Sequence, residues 1–253
     1  MSATHKASRI PVAIRGQLFV FDRPSWRVWD AQTGNKLLQI LVLMEAVVRP
    51  LLGVGARRLN IESRLWWQLL LMTLLLGMTC GLVAFFAKLP MSDFGFRSWR
   101  NWTKAERFYF VETSLLAIVI FSCINAASLG SLFSHPKLAQ IGIFMFVPQI
   151  IWGIYQEFLY RGLLQSELVR RWGTFRGILV SNVLFTVGPL HEYHFMQAKG
   201  HPVHLLIFAA IFAIGLFFAI LYRYSRNLWI VGLMHGLGDC FIDGLSGALR
   251  LAR

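Results

Sequence analysis

Five ionisable side chains interrupt the apolar runs in the second half of the sequence. Glu157 and Arg161 are four residues apart, and so are His235 and Asp239, while His191 lies just after an apolar stretch. Residues at i and i+4 lie on the same face of a helix, so each pair presents its two groups in one direction. Carboxylates and imidazoles are groups that proteins use for proton transfer. The pattern therefore predicts acid–base chemistry at a site that several helices share.

Hydrophobic runs long enough to cross a bilayer must position these side chains. A span needs about 20 mostly apolar residues. Measured from the basic residues that flank the runs, at a rise of 1.5 Å per residue, Glu157, His191 and Asp239 lie about 20–22 Å along their helices. We therefore expect them at a similar depth in the bilayer. The candidate spans are Leu37–Ala56, Leu65–Phe86, Phe110–Phe133, Ile141–Leu164, Gly177–Leu190, Leu205–Tyr222 and Leu228–Leu249.

The first of these runs contains two charged residues. Glu45 and Arg49 are four apart and can pair on one helix face, which fits either a span that faces the bundle or a helix in the interface. If all seven runs cross the membrane with the N-terminus inside, the inner segments carry more than twice the Lys and Arg of the outer ones. The positive-inside rule then favours seven spans and a cytoplasmic N-terminus.

The composition agrees with a chain that lies largely in lipid. Hydrophobic residues make up 56% of the chain and charged residues 15%, with a mean hydropathy of +0.56, whereas soluble domains carry about 25% charged residues. The net charge is +13, but the basic residues lie between apolar runs, where anionic lipids favour them. We therefore expect an all-α, polytopic transmembrane helical bundle of about seven spans that contacts membrane lipids and no nucleic acid.

The order of the polar motifs resembles the CPBP family, which includes CAAX proteases, bacteriocin-processing enzymes and abortive-infection proteins. The family's first motif, Glu-Glu-x-x-x-Arg, is matched by Gln156, Glu157 and Arg161. Its third motif, His-x-x-x-Asn or His-x-x-x-Asp, is matched by His235 and Asp239. The resemblance divides the chain into a basic cytoplasmic or interfacial segment, N-terminal transmembrane helices and a catalytic helical core; the three parts are residues 1–36, 37–140 and 141–253.

The second family motif, Phe-x-x-x-His, is matched only in part. Phe185 is followed by Pro189 where the family has histidine, and His191 comes two positions later. A proline that follows a glycine can break the helix and turn this imidazole inward. The alternative candidates Glu192 and His194 lie just beyond.

The first motif has Gln156 where the family has the glutamate that is thought to activate water. Three explanations stay open: Glu157 acts as the base in its place, a Glu→Gln change has inactivated the protein, or the protein is a relative without catalytic activity. Gln156 can also donate a hydrogen bond to the substrate.

The resemblance implies an intramembrane endopeptidase of the glutamic type. In this hypothesis Glu157, assisted by His191, deprotonates a water, and Arg161 neutralises and positions Glu157. His235 and Asp239 polarise the scissile carbonyl or hold the oxyanion, although an ionised Asp239 would have to orient His235 instead. The expected substrate is a membrane-associated peptide or protein, cut near its anchor or C-terminus.

Other functions are also compatible with these residues. Two histidines with carboxylates can bind zinc, but no His-Glu-x-x-His motif occurs, so we expect no metal and no other cofactor. A membrane immunity or scaffold protein could use the same fold without catalysis. A transporter could use buried ionisable groups as a proton relay, but we find no internal repeat. We expect the chain in a bacterial inner membrane or an ER-type membrane.

Overall fold

The computed structural model describes residues 29–61, 64, 66–191 and 202–252, and these residues form a helical bundle without a β-strand. The predicted segment 1–36 therefore lies mostly outside the described residues. The helices are α1 (Ala31–Arg58), α2 (Trp67–Ala87), α3 (Lys104–Ile124), α4 (Ala126–Phe133), α5 (Leu138–Val187), α6 (Pro202–Ser225) and α7 (Leu228–Ala252).

3₁₀ turns lie outside the long helices, and π-helical turns lie within them. Among the described residues, 3₁₀ turns occur at Met91–Phe94, Trp99–Asn101 and Pro189–His191. π-helical turns occur within the long helices, at Leu43–Val48, Val83–Ala87, Gly142–Phe146, Phe158–Gln165 and Cys240–Gly244. π-helical turns frequently lie at functional sites. The turn Phe158–Gln165 contains Arg161, and the turn Cys240–Gly244 follows Asp239.

In the part of the chain that the structure describes, six helices are long and apolar enough to cross a membrane, and α4 is too short. α5 has 50 residues, about 75 Å of helix, which is more than twice the thickness of the hydrocarbon layer. It reverses at Gly173, whose φ of +78° is a conformation that glycine adopts readily. Its arms, residues 138–172 and 174–187, account for the fourth and fifth predicted spans, which confirms the all-α polytopic bundle of about seven spans.

α1 begins at Ala31, six residues before the predicted run. Asp30 caps it, because its side chain accepts a 2.7 Å hydrogen bond from the backbone N–H of Thr33. Just before the cap, the indole of Trp29 is buried and donates to the carboxylate of Glu167 at 3.1 Å. This bond ties the start of α1 to the first arm of α5.

The charged residues of α1 decide which way this helix faces. Glu45 is only 5% exposed and accepts a 2.9 Å hydrogen bond from the hydroxyl of Tyr155 in α5, while Arg49 lies 3.4 Å from its other oxygen. An acidic side chain that is bonded to a neighbouring helix belongs to the inside of a bundle. Of the two possibilities that the sequence left open, the structure therefore has the helix that faces the bundle.

α3 begins at Lys104, also six residues before its predicted run, because Thr103 and Glu106 form a capping box. The side chain of Asn227, which caps α7, donates to Glu106 at 3.3 Å and accepts from the N–H of Trp229. The two N-termini are thus held together. The predicted run Phe110–Phe133 is broken at Asn125, where α4 turns away.

Close contact between α5 and α7 sets the geometry of the interior. A Cβ atom on Gly153 would meet the backbone of Gly236 and the carbonyl oxygen of Gly232. Gly232 and Gly236 form a Gly-x-x-x-Gly motif, which lets two helices in a membrane approach until their backbones touch. Glu157 lies one turn after Gly153, and His235 is the residue before Gly236. The close approach of the backbones therefore brings these two side chains within reach of each other.

Candidate active site

A cavity of about 380 Å³ lies between α3, the two arms of α5, α6 and α7, within the usual range for small-ligand sites. Its wall is mainly apolar, with aromatic side chains from α3, α5 and α6. The polar residues that line it are Thr113, Ser114, Gln156, His191, His235, Asp239 and Asp243.

The central contact of the site joins α5 to α7. Oε1 of Glu157 lies 2.8 Å from Nδ1 of His235, and the glutamate has no exposed surface. A carboxylate oxygen accepts, so Nδ1 of the imidazole carries the proton that it donates. In the neutral ring the lone pair is then on Nε2, which can take a proton. Glu157 thus selects the tautomer that makes His235 a base.

The second oxygen of Glu157 is held by Arg161. The guanidinium Nε lies 3.1 Å from Oε2, and both side chains are fully buried. Arg161 also donates to Asn182 at 3.4 Å and stacks on the ring of Phe185, with 4.5 Å from Cζ to the ring centroid. Asn182 in turn donates to the carbonyl oxygen of Phe212 in α6 at 2.9 Å. The carboxylate is therefore fixed between an imidazole and a guanidinium.

Aromatic rings and one carboxylate fix the plane of His235. Its ring stacks on Phe218, with centroids 5.5 Å apart, and meets Phe185 edge-on at 5.9 Å. Nε2 lies 3.7 Å from Oδ2 of Asp239, too far for a hydrogen bond but close enough for attraction when the ring is protonated. The imidazole therefore has two carboxylates beside it, one at each nitrogen.

His191 reaches the cavity because α5 ends before it. The helix stops at Val187, Gly188 is extended, and Pro189–His191 forms a 3₁₀ turn. Proline cannot donate the next helical hydrogen bond and disfavours helical geometry in the residue before it. Nδ1 of His191 lies 2.7 Å from the carbonyl oxygen of Phe185, so it is the donor and Nε2 carries the lone pair.

Gln156, and not its neighbour Glu157, is on the wall of the cavity. Its side chain is 4% exposed, and Oε1 has no hydrogen-bond partner among the described residues. Glu157 and Arg161 lie behind the wall, in contact with it through His235 and Phe185. The structure thus gathers all six predicted site residues, but it puts four of them on the cavity and two in a supporting layer.

The alternative candidates Glu192 and His194 lie outside the residues that the structure describes. Within the described part of the chain, no group of three or more His, Cys, Asp or Glu side chains could hold a metal ion.

Sequence reasoning missed two residues of the site. Asp243, in the last turn that lines the cavity, is four residues after Asp239 in an apolar run, and a second carboxylate in a span was itself a signal. Asn182 was less visible, because an amide in an apolar run is a weaker signal than a charge. Its role depends on a contact with Arg161 across the turn of α5.

Comparison with known families agrees with the geometry. Residues 138–241 match the family described as Type II CAAX prenyl endopeptidase Rce1-like. The second half of this chain is therefore similar to that family. The match contains the six predicted site residues and confirms the resemblance to the CPBP family. Comparison with curated proteins and with solved structures gave no match.

The match to the Rce1-like family indicates the general type of this protein, of its activity and of its substrate. The family is one of membrane endopeptidases, which fits the six apolar helices and indicates an integral membrane protein with protease activity of the CAAX type. It also indicates a membrane-associated protein as the substrate.

Proposed function

We propose that this protein is an intramembrane endopeptidase that cuts a membrane-associated peptide or protein near its anchor or C-terminus, with His235 as the general base and Glu157 as its partner. The observation that carries the proposal is the 2.8 Å contact between Glu157 and Nδ1 of His235 at the wall of an apolar cavity. A carboxylate that orients an imidazole is the arrangement that several unrelated hydrolases use.

The reaction begins when Nε2 of His235 takes a proton from a water in the cavity. The water oxygen attacks the carbonyl carbon of the scissile peptide bond and forms a tetrahedral oxyanion. The proton then passes from His235 to the leaving nitrogen, the C–N bond breaks, and a carboxylic acid and an amine are released. Glu157 stabilises the imidazolium at Nδ1, and Asp239, 3.7 Å from Nε2, adds to the same effect.

Two further groups on the wall have roles in this proposal. The amide N–H groups of Gln156 are suited to donate to the oxyanion, since a neutral donor does not have to lose a proton there. Nε2 of His191 carries a lone pair and is suited to hold the attacking water. Glu157 therefore acts through His235, in contrast to the direct role that the sequence predicted for it. Of the two roles considered for Asp239, the proposal takes the one in which Asp239 supports the imidazole of His235.

The experiment is a cleavage assay with the full chain in proteoliposomes. Candidate membrane-anchored peptides are incubated with the protein, and the new ends are identified by mass spectrometry. His235→Ala and His191→Ala should each lower kcat, His235→Ala by about 10²- to 10⁴-fold, the usual contribution of a general base. Glu112→Gln, on the exposed face of α3, is the matched control and should cleave normally. Full cleavage by His235→Ala would overturn the proposal.

Gln156 favours a second function, the binding of peptides without cleavage. The family's first glutamate is absent from the cavity wall, and a protein that binds peptides without cutting them would have the same fold. Gln156→Glu separates the two: in our proposal this variant gains no more than a few-fold in kcat, because the base is already present. Cleavage by Gln156→Glu together with no cleavage by the natural chain would overturn the endopeptidase proposal and favour the binding function.

The orientation in the membrane is part of the proposal. Asn35, near the start of α1, accepts from Arg171 at 2.6 Å, and Arg223 near the end of α6 donates to Thr174 at 3.3 Å. The start of α1, the turn at Gly173 and the end of α6 thus lie at one end of the bundle. Because this end is rich in arginine, we place it and the N-terminus in the cytoplasm, in a bacterial inner membrane or an ER-type membrane.

A further inference from the structure

One carboxyl group on the cavity wall, that of Asp243, has no role in the proposed reaction. Asp239 and Asp243 line the cavity, and no Lys or Arg is among the described residues that do so. Arg161, the nearest buried cation on α5, has no exposed surface and is bound to Glu157. Among the described residues, the wall therefore has two carboxyl groups and no Lys or Arg side chain.

The acceptors on this wall also lack donors. Oε1 of Gln156 is buried, on a side chain that is 4% exposed, and has no hydrogen-bond partner in the described part of the chain. Oδ2 of Asp239 is likewise buried without a hydrogen bond there. A buried polar atom without a partner is costly, so such atoms favour the binding of a group that satisfies them. These two oxygen atoms favour a ligand that donates hydrogen bonds.

The two carboxylates point in a common direction because they lie on one helix. Asp243 is four residues after Asp239, within the π-helical turn Cys240–Gly244 that widens α7 beside the cavity. Asp243 is exposed, so it can meet a ligand as it enters, whereas Asp239 lies deeper beside His235. A cation that is bound between them lies close to the imidazole.

We propose that the cavity contains a subsite for a basic side chain of the substrate, held by Asp243, Asp239 and Oε1 of Gln156 next to the peptide bond that His235 attacks. This inference rests on the proposed endopeptidase function and adds its specificity. An ammonium or guanidinium group supplies a positive charge beside the two carboxyl groups and N–H donors for Oε1 of Gln156 and Oδ2 of Asp239, which lack a hydrogen-bond partner among the described residues. The protein thus selects a Lys or Arg close to the scissile bond within an otherwise apolar segment.

The test uses acetylated and amidated peptides, so that no terminal charge competes. Matched apolar peptides carry Lys, norleucine or Glu at successive positions on both sides of the scissile bond, and cleavage by the full chain in nanodiscs is measured as kcat/KM. At the position that fits the subsite, Lys should be preferred to norleucine by about tenfold or more. Asp243→Asn should remove this preference, and Asp243→Lys should turn it towards Glu.

Two controls keep the outcomes distinct. Glu112→Lys makes the same change of charge outside the cavity and should leave the ratio between the Lys and norleucine peptides as it is. Binding of peptides with an N-methylated, uncleavable bond is measured by fluorescence anisotropy. Equal cleavage of the Lys and norleucine peptides overturns the subsite and leaves the endopeptidase standing. Preferential binding of the Lys peptide through Asp243, without cleavage of any peptide, supports the subsite and refutes the endopeptidase.

Discussion

At the level of single residues, the carboxylate of Glu157 has two partners. One oxygen accepts from His235 and the other from Arg161. The arrangement links catalysis to stability. The imidazole needs the carboxylate for its tautomer, and the buried guanidinium needs it for its charge. Substitutions on the two sides of this carboxylate can therefore separate the two effects.

Replacement of Glu157 by Gln should lower kcat by about 10²- to 10⁴-fold, because the base loses its orienting carboxylate. It should also lower the free energy of unfolding by about 3–5 kcal/mol, since Arg161 is left as a buried charge without its partner. Activity in proteoliposomes and thermal unfolding in detergent measure the two effects.

Arg161→Lys is the matched control for this variant. It weakens the same ion pair and so lowers stability, but it keeps the contact between Glu157 and His235. We expect it to retain most of its kcat at a temperature where both variants are folded. If the two variants lost activity in proportion to stability, Glu157 would have a structural role only.

At the scale of elements, the position of the site depends on how closely α5 approaches α7. Gly153 and Gly236 are in backbone contact, and Glu157 and His235 each lie within one turn of them. A side chain between the two backbones would push the helices apart. The distance between Glu157 and His235 would then increase, although neither residue had been changed.

Gly153→Val should therefore lower both stability and activity. Overpacking costs about 1–3 kcal/mol, and loss of the 2.8 Å contact between Glu157 and His235 should reduce kcat to a level near that of Glu157→Gln. Gly142→Val, on the same helix but with open space around its Cβ position, is the control. Thermal unfolding and kcat of both variants test this, and normal kcat in Gly153→Val would contradict it.

At the scale of the whole molecule, the bundle has a basic end and a site buried between its helices. The start of α1 and the turn at Gly173 meet at the basic end. The connection at Lys137, between α4 and α5, belongs to the other end, because residues 138–172 separate it from that turn.

Cysteine labelling tests this orientation. In a chain whose own cysteines are replaced, Gln32→Cys and Thr174→Cys should react with an impermeant maleimide only from the cytoplasmic side, and Lys137→Cys only from the opposite side. All three positions are exposed. Labelling of Gln32→Cys and Lys137→Cys from the same side would show that α1 or another helix does not cross the membrane.

Those features of the protein that depend on local spacing can be predicted without a structure. Long apolar runs predicted the helices, and separations of four residues predicted that Glu157 faces Arg161 and that His235 faces Asp239, as the structure shows at 3.1 and 3.7 Å. Gly188 and Pro189 gave the reason for the break before His191. These features need no knowledge of how the helices are packed.

Which residues meet across helices depends on how the helices pack against each other. Successive residues on a helix point about 100° apart, so Gln156 and Glu157 cannot both face the cavity, and only the rotation of α5 against α7 determines that Gln156 does. The contact between Glu157 and His235 joins residues 78 positions apart in the chain. It depends on the packing of Gly153 against Gly236, because backbone contact at that point sets how far apart the two side chains lie.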